Sequence, residues 1–484
     1  MKEKIVLLMS GIPSDDNVIK FLNIFGVTYE TITDVKDAIS SESTDKIHIL
    51  MGYKEYLGVS DAFEGGMGNI SSVFVYEAGT VEVQAGPAID ISGNHRDICA
   101  EFSGLSFAPA ARRMNCFDKT EILPDIVMAT REGYPIYLRK SVNNRDLFML
   151  STEIQNIDLK IKNRNDILSY SVGIVPVLMY LKYVSPNSFG DNNKLACIII
   201  DDPLLQLNYG HLNYRTIISL MEKYNFHTTI AFIPWNYKNT DQRTADLFLK
   251  NKDKLSICVH GCDHTKEEYG SNDVTHLNNI TKIATFRMLQ HEKKTGVSFD
   301  KVMVFPQGSF SNQAMDSLRQ NGYLAAINTS PISTNLKDDL ELKDFLHLYI
   351  DRYGGFPLFT RNTPEEIFGI SFNLFLNKPA FIVIHHEYLS DDGVGLINSV
   401  KKINSLAAGI RWDGAGNIVK KVVKMKTKHD GFDNRDVRID GVVGNRKKTR
   451  IFIRRHATVF RDNYLSKSST LMFTYNYLQK IFNW

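Results

Sequence analysis

The 484-residue chain has few of the features that define several common protein classes. It contains five cysteines, a sparse and odd set that argues against a disulfide scaffold: Cys99, Cys116, Cys197, Cys258 and Cys262. Its start, MKEKIVLLMSGIP, lacks the long apolar core and the small-residue cleavage site of a secretory signal peptide. We therefore expect a cytoplasmic protein and leave association with the cell envelope open.

Long apolar runs and nucleotide-binding motifs are also scarce. The most apolar segment, 166–182, contains Pro176 and is too short to span a bilayer, so we expect a core helix and no transmembrane segment. Residues 1–185 contain no GxGxxG, P-loop, GxSxG or GxCxG motif. The role of this region therefore stays open.

The chain is 43% hydrophobic and 23% charged, as is usual for soluble proteins, and its length favours two or three domains. Residues 1–185 alternate helix-like and strand-like pieces, which predicts an N-terminal doubly wound α/β domain. Within it, SDDNVIKFLNIFG is typical of a capped helix, and YPIYLRK with DLFMLST is typical of a hairpin. The Pro-, Gly- and Asn-containing stretch 184–194 indicates a domain boundary.

After that boundary, near-continuous apolar strands alternate with helix-period stretches. Parallel strands buried on both faces have this pattern, so residues 194–400 predict a distorted seven-stranded (β/α) barrel. The seven predicted strands are KLACIIIDD, HTTIAFIP, LSICVHG, KVMVFPQG, LAAIN, LHLYIDR and AFIVIHHE.

The C-terminal region 401–484 has a different charge balance, with 19 Lys and Arg against 6 Asp and Glu. Segments such as IVKKVVKMKTK and TRIFIRRHATVF alternate apolar and basic residues, which predicts a small β-rich appendage. An anionic partner is one interpretation of the charge, and a solvated basic face is the favoured one. The region has no nucleic-acid-binding module, so we expect no nucleic-acid partner.

Polar residues stand where the predicted barrel strands end, and barrels of this type carry their chemistry at the C-terminal strand ends. Along the chain these groups are Asp201 and Asp202; Pro234, Trp235 and Asn236; His260 with His264; Pro306, Gln307 and Gly308; Asn328; Arg352; and His385, His386 and Glu387.

Two histidines and a carboxylate on neighbouring strands have the composition of a catalytic divalent-metal site with open positions. One aspartate of the 201–202 pair would ligate the metal, and the other would stay ionised as a proton acceptor. Two alternatives remain at this stage. The aspartate pair would only cap a strand end, or Cys258, Cys262 and the two histidines would form a closed structural zinc site.

The motifs IIIDDP, HGCDH, VFPQGSFS and IVIHH occur in this order within residues 194–400 and resemble the polysaccharide deacetylase family, carbohydrate esterase family 4. The resemblance implies a (β/α) barrel enzyme that removes N- or O-acetyl groups from an acylated sugar or polysaccharide. It also implies a zinc ion, or sometimes cobalt or nickel. The implied roles are metal ligands Asp202, His260 and His264, general base Asp201, and general acid His385 with His386 as the second choice.

The third motif departs from the family, because Val304 and Phe305 precede its proline where an arginine is usual. Arg352 or Arg361 would replace that positive charge from a neighbouring strand. We assign supporting or substrate-binding roles to Trp235, Gln307, Gly308, Arg352 and His386. Tyr353, Phe356 and Phe359 would either stack on a sugar or only pack in the fold, and the latter is favoured.

Two functions follow from these expectations. The first is a metal-dependent carbohydrate deacetylase, and the second is a non-catalytic carbohydrate-binding or assembly protein on a degenerate barrel.

Overall fold

The computed structural model describes residues 3–36, 45–64, 69–86, 88–109, 112–120, 122–162, 165–335 and 340–429. Residues up to 429 form one compact unit. Most of the basic C-terminal region lies outside the described residues. Its β-rich character beyond residue 429 and its anionic partner therefore stay predictions.

Most of the first half of the chain folds around one mixed sheet. The strands of this region are β1 (Glu3–Leu8), β2 (Tyr29–Ile32), β3 (Lys46–Gly52), β4 (Ile70–Tyr76), β5 (Val81–Ala85), β6 (Ile89–Ile91), β7 (Ser106–Phe107), β8 (Arg112–Cys116), β9 (Val127–Arg131), β10 (Tyr134–Val142) and β11 (Arg145–Leu150). Of these, β5 and β8 pair with each other as a separate two-stranded ribbon. The nine-stranded sheet has the order β2-β1-β3-β4-β11-β10-β9-β6-β7.

The two halves of this sheet differ in strand direction. Strands β2, β1, β3, β4 and β11 are parallel, as the doubly wound prediction requires, whereas β10, β9, β6 and β7 continue the sheet with antiparallel pairs. The predicted hairpin is confirmed as β10–β11. The helices of this region are α1 (Pro13–Ile24), α2 (Tyr53–Leu57), α3 (Ser60–Glu64), α4 (Arg96–Cys99), α5 (Asn165–Tyr170) and α6 (Val175–Val184).

The second half of the chain forms the predicted closed barrel. Its seven strands are β12 (Leu195–Asp201), β15 (Thr228–Phe232), β16 (Leu255–His260), β17 (Asp300–Val304), β18 (Ala325–Asn328), β19 (Leu358–Asn362) and β20 (Ala380–Ile384). All neighbouring pairs are parallel, and β15 pairs with β12 to close the ring. A short strand, β21 (Arg411–Trp412), extends the sheet beside the start of β12, and β13 (Asn208–Tyr209) pairs with β14 (Leu212–Asn213) near the barrel rim.

Six of the seven predicted barrel strands are confirmed. The remaining one, which is the sixth in chain order, is wrong. Residues 346–352, predicted as a strand that ends in Arg352, form no barrel strand, and the barrel uses Leu358–Asn362 instead. The rejected segment has bends and one antiparallel bridge, from Ile350 to Leu358. The true strand contains the polar residues Thr360, Arg361 and Asn362, so its sequence does not resemble a buried strand. The fold supplies partners for two of them, Asp201 for Arg361 and Asn373 for Asn362.

Helices follow most barrel strands and cover the outside of the barrel, as the alternating pattern predicts. They are α7 (Tyr214–Tyr224), α8 (Gln242–Lys250), α9 (Val274–Thr295), α10 (Asn312–Gln320), α11 (Ile367–Phe375) and α12 (Val394–Leu406), and a further helix, α13 (Ala415–His429), comes after them. Capping side chains fix several of their starts. Asp273 accepts hydrogen bonds from the backbone of Thr275 and His276, and Asn213 caps α7 in the same way.

Helix α13 corrects the expected strand at IVKKVVKMKTK. Ile418, Val419 and Val422 are buried against the apolar residues inside the barrel, such as Cys197 and Ile199 of β12. Apolar residues at positions i, i+1 and i+4 lie on one face of a helix, whereas on a strand they would point to both faces. The segment is therefore a helix that packs onto the barrel interior.

The N-terminal region and the barrel share a continuous apolar core. Phe102 packs against Phe372 and Phe375 of α11, and Phe25 stacks on Phe189 in the predicted boundary segment. The buried Glu101 forms an ion pair with Lys194, at the entry to β12. The two regions are thus in direct contact on either side of the predicted boundary.

None of the individual helices in the described residues has both the length and the apolar composition needed to cross a membrane. The bent pair Asp166–Gly173 and Val175–Val184 meets that test only when its members are taken together. Helix α6 is almost entirely buried in the protein, as expected for a core helix.

Candidate metal centre and active site

The side chains of Asp202, His260 and His264 converge at the C-terminal rim of the barrel. Oδ1 of Asp202, the residue after β12, lies 3.0 Å from Nε2 of His260 and 3.1 Å from Nε2 of His264. The donor atoms of the three residues all lie within 4.8 Å of one another, as ligands of a single ion would. The structure thus brings together all three predicted metal ligands.

The hydrogen bonding of His260 leaves the correct nitrogen facing the cluster. Its Nδ1 lies 2.9 Å from the backbone oxygen of Val304, which can only accept, so Nδ1 carries the hydrogen. The lone pair of Nε2 in the neutral ring then faces the Asp202 carboxylate. A backbone carbonyl on the other ring nitrogen is the usual support of a metal-binding histidine.

The cluster fits a divalent cation. Oδ1 of Asp202 is buried, and within the described part of the chain it has no hydrogen-bond partner of good geometry. Burial lowers the pKa of His260, but the charges of Asp201 and Asp202 outweigh it and raise the pKa above its usual value. An orphaned carboxylate oxygen that faces two imidazoles lacks a positive charge, and a metal ion with nitrogen and oxygen ligands would supply it.

Unusual backbone conformations aim these side chains. The φ angles are 74° at Asp202, 60° at His264 and 54° at Gln307, all in the left-handed region that residues with a Cβ rarely adopt. Such conformations persist where the surroundings hold them, commonly at functional sites. The chain therefore turns sharply after three barrel strands and directs polar groups to the rim.

Asp201 points into the barrel, away from its neighbour, and forms a buried ion pair. Its two carboxylate oxygens each lie 2.7 Å from a guanidinium nitrogen of Arg361 on β19. Burial raises the pKa of Asp201, but Arg361 and His260 outweigh that effect and hold it below its ordinary value. The two adjacent aspartates thus have separate environments, and Asp201 stays ionised.

Arg361, rather than Arg352, supplies the charge missing from the third motif. Arg352 has a different partner, with a guanidinium nitrogen 3.6 Å from a carboxylate oxygen of Glu341. Of the two arginines predicted to replace the charge, Arg361 is the one that contacts Asp201, and the supporting role assigned to Arg352 stays a prediction.

We expect Arg361→Met to lower the free energy of unfolding by about 3–5 kcal/mol, because it leaves the Asp201 carboxylate buried without its guanidinium partner. Urea denaturation of the metal-free protein measures this loss. Lys4→Met is the control, since the Lys4–Glu30 pair is partly exposed and is worth no more than about 1 kcal/mol. A loss from Arg361→Met as small as that of the control would contradict the interpretation.

The two adjacent late histidines face different partners. Nε2 of His385 lies 3.8 Å from Oδ2 of Asp202, and its side chain is 56% exposed, so it borders the cluster and is accessible to a substrate. His386 turns away, packs edge-on against Tyr209 and lies 3.2 Å from a Glu387 oxygen. The geometry favours His385 over His386 for a role in proton transfer.

The remaining predicted residues form parts of the same rim. Trp235 is 61% exposed, and its backbone nitrogen donates to the oxygen of Cys262 at 3.0 Å. Gln307 and Gly308 follow β17, and the Asn328 side chain donates to the Gly308 oxygen at 2.8 Å. The Gly308 amide donates a hydrogen bond to the backbone oxygen of Phe305 at 3.3 Å, so this N–H already has an acceptor within the protein.

Two alternatives from the sequence find no support in the described residues. The cysteines of the C-x-H-x-C-x-H pattern do not join the histidines, because Cys258 faces the apolar barrel interior and the metal-compatible group contains Asp202 instead. The aromatic residues proposed for sugar stacking are all buried, which confirms that they pack in the fold: Tyr353, Phe356 and Phe359.

Glu268 was missed by the sequence analysis. It is 6% exposed and binds the backbone of the residues between the two histidines. The local sequence, TKEEYG, offers two adjacent glutamates and no sign of which one is buried. Only the folded loop distinguishes them.

No family model and no curated protein matches the sequence. Solved structures do show similarity. A carbohydrate esterase family 4 pseudoenzyme from Bacillus anthracis is 10% identical over 47% of this chain and 66% of its own, with a TM-score of 0.30. A Mycobacterium smegmatis protein, provisionally described as a polysaccharide deacetylase, is 13% identical over 49% and 93%, with a TM-score of 0.33. The peptidoglycan deacetylase PdaC from Bacillus subtilis is 15% identical over 50% and 100%, with a TM-score of 0.29.

The barrel resembles the polysaccharide deacetylases. The ring of seven parallel strands and the order of the rim motifs are observed directly in this chain.

Proposed function

We propose that the protein is a metal-dependent hydrolase that removes an acetyl group from an N- or O-acetylated carbohydrate. The observation that carries this proposal is the convergence of Asp202, His260 and His264 on one point beside a second, ionised carboxylate. Zinc suits one carboxylate and two imidazole ligands with an open position, and cobalt or nickel would suit the same donors.

A divalent cation, when bound, would supply Lewis acidity that lowers the pKa of a coordinated water to about 7. The protein's own groups do the rest. Asp201, kept ionised by Arg361, would accept the proton of the attacking water. Because Asp201 and Asp202 point to different surroundings, one carboxylate holds a ligand position while the other handles a proton.

His385 would complete the reaction from the open side of the site. Its imidazole borders the Asp202 carboxylate and is accessible to a substrate, so it is placed to donate a proton to the leaving amine or alkoxide. Trp235 lies in the short helical turn that follows β15, and its ring is exposed at the same rim. A sugar next to the cluster would meet both side chains.

The missing arginine of the third motif would favour the alternative, a non-catalytic carbohydrate-binding or assembly protein. Arg361 pairs with Asp201 through two contacts of 2.7 Å and provides the same charge from β19. That observation therefore no longer favours a degenerate site. We also propose a cytoplasmic location, which would suit an enzyme that acts on a sugar precursor.

Acetate release tests the proposed function. Purified protein is loaded with Zn²⁺ or Co²⁺ and incubated with N-acetylated chitooligosaccharides and with O-acetylated xylan. We expect acetate from at least one of them, and none after the metal is chelated. Oligosaccharide binding by metal-loaded protein without any acetate release would instead support the binding protein.

A further inference from the structure

Glu268 is a buried carboxylate that holds the loop between the two histidine ligands. We call residues 261–264 the ligand loop, because it links His260, at the end of β16, to His264. Oε2 of Glu268 accepts a hydrogen bond from the Cys262 amide at 2.8 Å, and Oε1 accepts one from the Asp263 amide at 2.6 Å. A single side chain thus binds two consecutive amides of this loop.

The ligand loop has a backbone shape that needs such support. Gly261 has a φ of 64° and His264 a φ of 60°. A Cβ on Gly261 would overlap both Pro306 and the Glu268 carboxylate, so the chain passes directly between them. Amides in such a turn have no strand partner, and buried amides without acceptors would be costly.

The carbonyl side of the ligand loop is fixed as well. The oxygen of Cys262 accepts from the Trp235 amide at 3.0 Å, and Arg287 lies 3.3 Å from the same oxygen. Arg287 also contacts the Asp263 carboxylate and the Cys262 sulfur. The donor atoms of Cys262, Asp263 and Glu268 also lie close enough together to hold a metal ion. Because the contacts described here already engage all three side chains, the group is better explained as a support of the ligand loop.

We propose that Glu268 is a positioning residue, which fixes the ligand loop so that Nε2 of His264 faces Oδ1 of Asp202. This inference rests on the proposed function, because it assumes that His264 binds the metal. His260 needs less support, since it lies on β16 and is oriented by the Val304 carbonyl. His264 lies beyond the strand, where only the loop determines its direction.

The test is a titration of metal-free protein with Co²⁺, whose visible absorption reports the ligand set. Glu268→Gln replaces one acceptor by an NH₂ group that would face an N–H, so one hydrogen bond is lost. We expect a Co²⁺ affinity roughly 10–100-fold lower and a changed absorption band, as for other groups that orient metal ligands. Glu267→Gln, the same change at the exposed neighbour, should leave both unchanged.

A double variant separates this role from a general loss of stability. If Glu268 acts through His264, Glu268→Gln should change the weak residual Co²⁺ affinity of a His264→Ala background, titrated at millimolar Co²⁺, by no more than about twofold. Wild-type affinity and spectrum in Glu268→Gln, or fully additive losses in the double variant, would overturn the inference. If Glu268→Gln does not fold, Glu268→Asp, which keeps the charge but shortens the reach, is judged by the same outcomes. A wild-type protein that binds no Co²⁺ would overturn the proposed function, and this inference with it.

Discussion

Asp201→Asn is expected to reduce the rate of acetate release by roughly 10²–10⁴-fold while the protein keeps its metal. An amide cannot accept the proton of the attacking water, and the ligand cluster does not include Asp201. Rates are measured on the best substrate at saturating concentration, and metal content is measured on the same samples. The combination of lost turnover with retained metal distinguishes a proton acceptor from a ligand.

The substitution also leaves the Arg361 guanidinium partly uncompensated, so stability must be followed in parallel. A thermal unfolding curve shows whether the variant is still folded at the assay temperature. Asp392→Asn is the matched control, because it makes the same change at an exposed residue outside the cluster. If the Asp201→Asn protein is folded and metal-loaded and is still as active as this control, then Asp201 is not the proton acceptor.

The metal cluster could be predicted from the sequence because its parts sit at the ends of strongly apolar strands. Strands such as LACIIID and LSICVH are recognisable without any tertiary information, and parallel strands bring their C-terminal ends to one rim. Asp202 and His260 follow directly from that rule. His264 lies four residues beyond the strand, so its prediction rested on its close spacing to His260 rather than on the strand-end rule alone.

The sixth strand could not be predicted, because its polarity is compensated only in the closed barrel. Arg361 is 4% exposed, and its charge is balanced by Asp201 on a strand that is not its sequence neighbour. Strand β19 therefore resembles a polar loop in the sequence. The more apolar segment 346–352 resembled a strand but only packs alongside β19 through the Ile350 bridge.

The direction of the side chains also lies beyond sequence patterns. The positive φ angles at Asp202 and His264 determine which way the two ligands point, although neither residue is a glycine that would announce a turn. Glu268 illustrates the same limit, because its two hydrogen bonds are to backbone amides. Which backbone amides the Glu268 carboxylate binds is decided by the shape of the folded loop.

His260→Ala is expected to lower the affinity for Zn²⁺ by more than about 100-fold, since even the loss of an outer group that orients a ligand costs about 10–100-fold. His260 is the most buried of the three ligands, with a side chain 2% exposed, so water cannot easily replace it in the same place. Acetate release should be lost together with the metal. Isothermal titration of metal-free protein with Zn²⁺ measures the affinity.

His291→Ala is the control for the cavity that any buried histidine leaves. His291 lies on α9, outside the ligand cluster. It is fully buried, and its Nε2 is 2.9 Å from the hydroxyl of Thr240, with which it forms a hydrogen bond. We expect this variant to be less stable than the wild type but to bind Zn²⁺ with unchanged affinity. Equal Zn²⁺ affinities in the His260 and His291 variants would remove His260 from the site.

The metal content of the unsubstituted protein tests the central claim most directly. Metal-free protein is dialysed to equilibrium against micromolar Zn²⁺ and analysed by mass spectrometry of the elements. We predict one zinc ion per chain, lost when Asp202, His260 or His264 is replaced by alanine. A folded wild-type protein that retains no zinc under these conditions, or that retains it equally in all three variants, would contradict the account.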